Sequence, residues 1–479
     1  MAAFTTVTND RASTLEASPR TVAVLVVGVA AAAALGVLAA GSGTAIYLAA
    51  AAVVVVVGVA VVRKPALALP AAIWSMWFEG IGGDTLSVGR LVAVGLLALI
   101  VLRVLVGGER LRVPPTISWA PPLAFVAWAW TSGMWSAKRG PWLITTLTIL
   151  IGVAYFAIVF LETRSAEQFW RILKVWIWIG AFVAALSVGL ATLSGSKERV
   201  PGLSGGANNF ATYLVSATPF LALYFAEAKG RWKLVVAGLF PLYGIALVYS
   251  GSRAGFIAAA VVGLYVVLTF PSESRGATRV RRALVGVGVL GAALFLAVTL
   301  NPQRFALLSS AAADRGAGRL DIWNAGLRTL KDHWLFGMGM GQFREQSTTI
   351  LQRVTGSSLG IGEYVAKEGS NTLDTHNQYL QLWLDLGIIG LGLYFTMVGT
   401  ALYTLLTKAT EEWKRLAWAF IGVLIAVHIG LMFMSQINQK FLWVVLGVSA
   451  AIASAAQRVA PRADPDAADV GEPEAVPRL

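Results

Sequence analysis

The chain has 479 residues, of which 57% are hydrophobic and 13% charged, with a formal net charge of +13 and no cysteine. Soluble domains carry roughly 25% charged residues; the deficit here runs along the whole chain, which excludes a soluble domain with one anchor and indicates a polytopic membrane protein. The missing thiols exclude disulfides, thiolate nucleophiles and Cys-ligated metals, and the excess positive charge sits in short loops between apolar runs, as topology determinants do, so nucleic acid is not an expected partner.

Residues 1–20 are polar, with Arg11 and Arg20 ahead of an Ala/Val-rich run. That run is about as long as a full membrane span and a second follows at once, so it reads as a retained helix behind a cytoplasmic tail, not as a signal peptide. Apolar runs of bilayer scale lie at about 21–41, 44–62, 66–82, 88–106, 118–135, 142–161, 172–193, 211–226, 233–250, 255–270, 283–300, 379–406, 416–434 and 440–456. The expected fold is therefore an all-α polytopic membrane protein of about 14 transmembrane helices, or 12 on another division of the Ala/Gly-rich early segments. Its membrane domain comes in two parts, 21–300 and 379–456. With the N-terminus inside, the inner loops collect Arg63 and Lys64, then Arg103, Arg110 and Arg112, then Arg164, Arg171 and Lys174. Later inner loops hold Lys229, Arg231, Lys233, the Arg275–Arg282 cluster, Lys408, Lys414, Arg415, Arg458 and Arg462. The opposite loops are poorer in cations, the positive-inside asymmetry.

Residues 301–378 form one polar segment on the outer side. It is too long for a connection and carries helical patterning at Ile322, Trp323, Leu327 and Leu330, so it reads as a large, partly helical periplasmic loop resting on the membrane domain. The end of the chain, 457–479, is rich in Pro, Asp, Glu and Ala and reads as a disordered cytoplasmic tail.

Basic residues on the outer side are exceptions to the charge rule and need another reason. Arg199 lies in the loop SGSKERVPGLSGGANNF, Arg253 in Gly251-Ser252-Arg253-Ala254-Gly255 between two apolar runs, and Arg315 and Arg319 in the long segment. An arginine near hydrocarbon depth must be paired or hydrated and is a functional candidate; Lys138, Arg139 and Lys197 read as solvated loop charges. His376, one of three histidines, stands where the long polar segment meets the next apolar run. Its imidazole titrates near neutral pH and can take a proton from a hydroxyl. His428 is mid-span and reads as a structural hydrogen-bonder; His333 sits beside Trp334 at an expected helix end. Gly337-Met338-Gly339-Met340-Gly341 has neither a preceding strand nor a Walker lysine, so it reads as a turn and not as a nucleotide loop. No HExxH motif or carboxylate pair suggests metallohydrolase or glycosidase chemistry.

Three segments together resemble the O-antigen ligase and polymerase superfamily of bacterial membranes. They are Arg199-x-x-Gly202 followed by Asn208; Gly251-Ser252-Arg253-Ala254-Gly255; and Arg319-x-x-Ile322-Trp323-x-x-Gly326-Leu327 through the Gly337–Gly341 run to His376-Asn377-x-Tyr379 and Leu386-Gly387-x-x-Gly390. The resemblance covers about residues 190–400. It implies a transferase without metal or other cofactor, acting on glycans carried by undecaprenyl diphosphate at the outer leaflet of the bacterial inner membrane. By position it makes His376 the catalytic histidine and Arg199 and Arg253 the holders of the diphosphate, with Arg319, Asn208 and Asn377 as further substrate-binding candidates.

The residue chemistry suits that reading. A sugar linked to diphosphate already has a good leaving group, so charge stabilisation by bidentate arginine matters more than a strong acid. A single displacement predicts inversion at the anomeric carbon. The favoured expectation is a ligase joining an O-antigen-type polysaccharide to lipid A-core; a polymerase would use the same donor and a second lipid-linked glycan as acceptor. From another class, a secondary transporter or lipid flippase would suit the span number, but a cluster of mid-span carboxylates for ion coupling and a repeated hydropathy unit are missing from the sequence.

Topology is directly testable, because a chain without cysteine gives no labelling background. A cysteine placed at Ser358 is expected to react with a membrane-impermeant maleimide in intact spheroplasts, and one at Ala468 only after lysis. The reverse pattern would invert the topology and remove the outer-leaflet site.

Overall fold

The computed structural model describes residues 56–81, 87–107, 112–195, 198–271, 319–355, 372–437 and 439–459, which are helical with no strand among them. The helices are α1 (Ala68–Ser75), α2 (Val88–Gly107), α3 (Thr116–Thr131), α4 (Arg139–Glu162), α5 (Ala166–Leu193), α6 (Ala207–Ser216) and α7 (Thr218–Glu227). They continue as α8 (Arg231–Ser250), α9 (Arg253–Thr269), α10 (Arg319–His333), α11 (Gln342–Thr355), α12 (Gln378–Thr407), α13 (Lys414–Leu431) and α14 (Lys440–Val459). Among the described residues seven helices, α2, α4, α5, α8, α12, α13 and α14, are long and apolar enough to cross a membrane, and Pro65–Phe78 and α9 are shorter apolar stretches. The expected runs at 21–41 and 283–300, most of 44–62, and the C-terminal tail lie outside the described residues. The expected single run at 211–226 is two ten-residue helices, α6 and α7. Pro219 has no amide to donate to Val215, and the hydrogen-bond ladder is interrupted there.

Membrane helices joined by short described loops alternate in direction, so the bundle has two distinct ends. One end is built around cations. There Arg103 meets Glu162 at 2.8 Å, Arg112 donates to the Thr163 carbonyl at 3.0 Å, and Lys174 meets Glu227 at 2.8 Å. This is the cation-rich set that loop charge assigns to the cytoplasm. The other end gathers the starts of α2, α4, α9, α12 and α14 and the finishes of α3, α5, α8 and α13.

Between the ends the interior is aromatic and tightly spaced. Trp77 stacks on Trp176 with ring centroids 4.9 Å apart, and its indole N–H donates to the Trp176 carbonyl at 3.0 Å. Helices α4 and α14 pack closely because Gly152 receives the Trp443 indole and Gly447 lies against Phe156 and Val159. Small residues let membrane helices approach, and dispersion between close-packed surfaces then holds them.

Helix α12 is broken. Gly387 has φ +69° and ψ −174° inside an otherwise helical run, a correction to the continuous span expected at 379–406. The backbone groups released by the break are taken up by other segments. The Leu384 and Asp385 carbonyls accept from the amides of Met338 and Gly339, both at 2.8 Å, and the Ile388 amide donates to the Trp334 carbonyl at 2.9 Å. The Leu386 carbonyl accepts from the Trp128 indole at 2.9 Å. Irregular backbone at membrane depth survives only where protein satisfies it in this way. The polar segment therefore does not merely rest on the bundle: its 334–341 turn completes α12. Helices α10 and α11 then share a small separate core of Ile322, Ala325, Leu330, Phe343, Leu351, Leu373 and Leu384.

Gly387→Ala is expected to destabilise the protein. An alanine there has an unfavourable left-handed φ and a Cβ that overlaps the Leu335 carbonyl, against about 1–3 kcal/mol for backbone strain alone. A lowered melting temperature in detergent is the expected reading; an unchanged one would show that the break does not depend on glycine.

Candidate functional site

Two arms of polar residues meet at the end of the bundle opposite the cation-rich one. The first contains the arginines. Helix α8 ends at Gly251 in the left-handed conformation, φ +59°, and a Cβ there would come within 3.1 Å of Arg199 Cγ. Ser252 follows as the N-cap of α9, its Oγ accepting from the Gly255 amide at 3.1 Å, and Arg253 is the first helical residue. The Gly-Ser-Arg-Ala-Gly motif is thus a helix stop joined directly to a helix start, which holds Arg253 at the mouth of the bundle.

Arg199 arrives from the preceding loop. Its Nε donates to the Ser250 carbonyl at 3.1 Å and its Nη2 to Asn208 Oδ1 at 2.6 Å. Ser252 Oγ donates to the same Asn208 oxygen at 2.9 Å. One carbonyl oxygen therefore joins the Arg199 loop to the Arg253 turn. Arg253 is exposed and makes no hydrogen bond or ion pair to a described residue. Loss of hydration, and next the Arg253 charge, hold the Arg199 guanidinium below its ordinary pKa. It stays protonated, and the mutual repulsion of the two guanidiniums is an unfavourable term that a bound anion removes.

The second arm carries His376. Its φ of +50° is the only positive value at a non-glycine among the described residues. Bonds on either side hold that conformation. The Trp323 indole donates to the Thr375 carbonyl at 2.8 Å, and Thr375 Oγ1 donates to the Asn377 carbonyl at 2.8 Å. Thr375 Oγ1 also lies 3.0 Å from Ser435 Oγ. Asn377 is the N-cap of α12, its Oδ1 accepting from the amides of Tyr379 and Leu380 at 3.0 and 3.1 Å; only its amide nitrogen remains for a ligand. Arg319 opens α10 one turn before Trp323, on the same helix face. Asp374, two residues before His376, pairs with Arg344 at 3.6 Å.

The finish of α13 touches both arms. Gly430 lies against Thr212, one turn beyond Asn208 on α6, and Ser435 reaches Thr375. Arg199, Asn208 and Arg253 are thus brought into one cluster, His376, Asn377 and the Trp323 face of α10 into another, and both dock on one helix end. His428 behaves as expected, with Nδ1 2.8 Å from the Leu424 carbonyl.

Sequence reasoning missed three groups here. Lys440, buried at the start of α14, pairs with Glu79, which also meets Arg90 at 3.5 Å; the hairpin bearing Glu79 is tied to the arginine loop by the Gly80 amide on the Leu203 carbonyl, 2.8 Å. Asp385 and Gln381 are buried on α12 and hydrogen-bonded to each other at 3.0 Å. Asn209, Gln378 and Gln439 are buried amides whose Oδ1, Oε1 and Nε2 have no hydrogen-bond partner among the described residues. Polar atoms at span ends read as interfacial in a sequence; only the packing reveals that these are enclosed.

A family model described as O-antigen ligase matches residues 237–395. This stretch contains Arg253, Arg319, His376 and Asn377, and the match supports the superfamily resemblance carried by those motifs. Arg199 and Asn208 lie before it. No curated protein matches the chain.

Arg253→Lys is expected to weaken binding of inorganic diphosphate, used as an anionic probe, nearly as much as Arg253→Ala, because lysine keeps the charge and loses the planar fork. A charged hydrogen bond contributes about 1.5–3 kcal/mol, or roughly 10–100-fold in Kd. Wild-type affinity in the lysine variant, measured by titration in detergent, would make Arg253 a simple headgroup anchor.

Proposed function

We propose that this protein is an O-antigen ligase-type glycosyltransferase of the bacterial inner membrane. It moves a polysaccharide from undecaprenyl diphosphate to a hydroxyl of lipid A-core on the periplasmic side, without metal and with inversion. The observation that carries the reading is the joining of the Arg199 loop to the Ser252 turn that precedes Arg253, through Asn208, at the same bundle end as His376. In this mechanism the acceptor hydroxyl gives its proton to the His376 imidazole while its oxygen bonds to the anomeric carbon. The bond from that carbon to the phosphate oxygen breaks, and undecaprenyl diphosphate leaves with the electron pair. Arg199 and Arg253 stabilise the growing negative charge on the phosphate through charged, bidentate hydrogen bonding. Arg319 contacts the substrate from the His376 side. Asn208 and Asn377 mainly hold the arginines and the histidine in place, each with an amide nitrogen left over for the glycan.

One assay tests the whole reading. Purified protein in detergent is mixed with undecaprenyl-diphosphate glycan, with and without lipid A-core, and the products are separated on a gel. The expected result is lipid A-core carrying the glycan, undiminished in EDTA and abolished in a folded His376→Ala variant. Glycan lengthening without lipid A-core would instead make the protein a polymerase. Loss in EDTA reversed by Mg²⁺ would contradict the metal-free mechanism, and no product in detergent would favour a transporter.

A further inference from the structure

The hydrogen bonds around Thr375 continue into α12. Thr375 is fully buried, and its amide donates to Gln381 Oε1 at 3.4 Å. Gln381 Nε2 in turn donates to Asp385 Oδ2 at 3.0 Å. The other carboxyl oxygen, Asp385 Oδ1, accepts from the Phe343 amide at 3.1 Å. A buried carboxyl group thus links Phe343, just after the 334–341 turn that completes the break at Gly387, to the residue that precedes His376. Gln381 and Asp385 stand four residues apart on one face of α12, as does Gln378 three residues before. Every donor in this series points one way, towards Asp385.

We infer that Asp385 and Gln381 are positioning residues for His376: a directional relay that sets the Thr375–Asn377 backbone from the break in α12. This rests on His376 being the base. The direction follows from the donor inventory. The Thr375 N–H needs an acceptor, so Gln381 presents its carbonyl to Thr375 and its NH₂ to Asp385, whose other oxygen accepts from the Phe343 amide. Reversing the amide would put NH₂ against the Thr375 N–H and leave two donors facing each other in a buried place, which buried polar groups do not tolerate.

Polarity can be reversed by exchange of residues. Asp385→Asn keeps an oxygen for the Phe343 amide but turns its own NH₂ towards Gln381, which must then flip and lose Thr375. Adding Gln381→Glu restores an acceptor at both places: one oxygen takes the NH₂ of the introduced asparagine, the other the Thr375 amide, and the total charge returns to its original value.

The experiment uses the full-length protein in detergent and two readouts. Hydrogen exchange by mass spectrometry over residues 372–378 reports the backbone, and glycan transfer reports the chemistry. Asp385→Asn is expected to speed exchange in that segment and to lower kcat on the order of 10²-fold, the cost of misplacing a reacting group by about 1 Å, with KM for the donor little changed. The Asp385→Asn/Gln381→Glu pair is expected to restore both exchange protection and most of the kcat. A double variant that stays as unprotected as the single one overturns the relay. So does a single variant whose exchange and kcat match wild type. If protection is lost and regained as expected while His376→Ala retains full transfer, the relay stands and the base assignment falls, so the two failures are distinguishable.

Discussion

Everything at the functional end of this protein depends on one interruption of backbone hydrogen bonding, the turn of α12 at Gly387. A helix broken within a membrane leaves amides and carbonyls that lipid cannot satisfy, and each unsatisfied group costs several kcal/mol. Here the 334–341 turn and the Trp128 indole supply the missing partners. The exchange fixes a polar, water-facing segment against an apolar helix with backbone accuracy. Because α10 runs directly into this turn and carries Trp323, the same exchange determines where Thr375 and His376 stand. The chemistry at the mouth is thus referenced to the hydrogen-bond ladder of a membrane helix and not to a loose loop.

The electrostatic layout follows a different logic from the packing. Cations at the opposite end are matched by carboxylates, as in Arg103 with Glu162 and Lys174 with Glu227. At the functional end, Glu79 answers Arg90 and Lys440, whereas Arg199 is held by carbonyl oxygens. Matching a charge stabilises a fold, and leaving one unmatched prepares it for a ligand. The buried Glu79–Lys440 pair is consistent with the first purpose. It ties the start of α14 to the hairpin beside the arginine loop, and removing either partner alone would leave an uncompensated buried charge.

Much of this was legible from residue order alone. The limits of α4, α5, α8, α9, α13 and α14 fall close to the apolar runs, because hydropathy over a span length is a strong signal. The Gly-Ser-Arg-Ala-Gly motif could be read as a junction between runs, and the Gly337–Gly341 run as a turn, since glycine spacing speaks to local backbone. Helicity in the long polar segment was visible in the spacing of Ile322, Trp323 and Leu330. What could not be read depends on partners distant in sequence. Gly387 breaks α12 only because Leu335 to Gly339 dock there, and nothing local distinguishes it from Gly390 or Gly392. Asp385 looks like an isolated acid in an apolar run until Phe343 and Gln381 are placed around it. Lys440 looks like an interfacial cation until Gly89 is seen to leave room for its ammonium group beside Glu79. Asn377 matched a motif as a substrate contact, yet its oxygen is committed to capping a helix.

The choice of an amide at Asn208 has a consequence for how the mouth resists self-occupation. Its single oxygen orients Arg199 and Ser252, which a carboxylate of the same size would do more strongly. Such a carboxylate would also neutralise the guanidinium charge, tethered at a distance of one hydrogen bond. A neutral carbonyl aligns the fork without answering its charge. Asparagine at this position keeps the Arg199 guanidinium aligned through neutral oxygens alone, with its charge left without a carboxylate partner among the described residues.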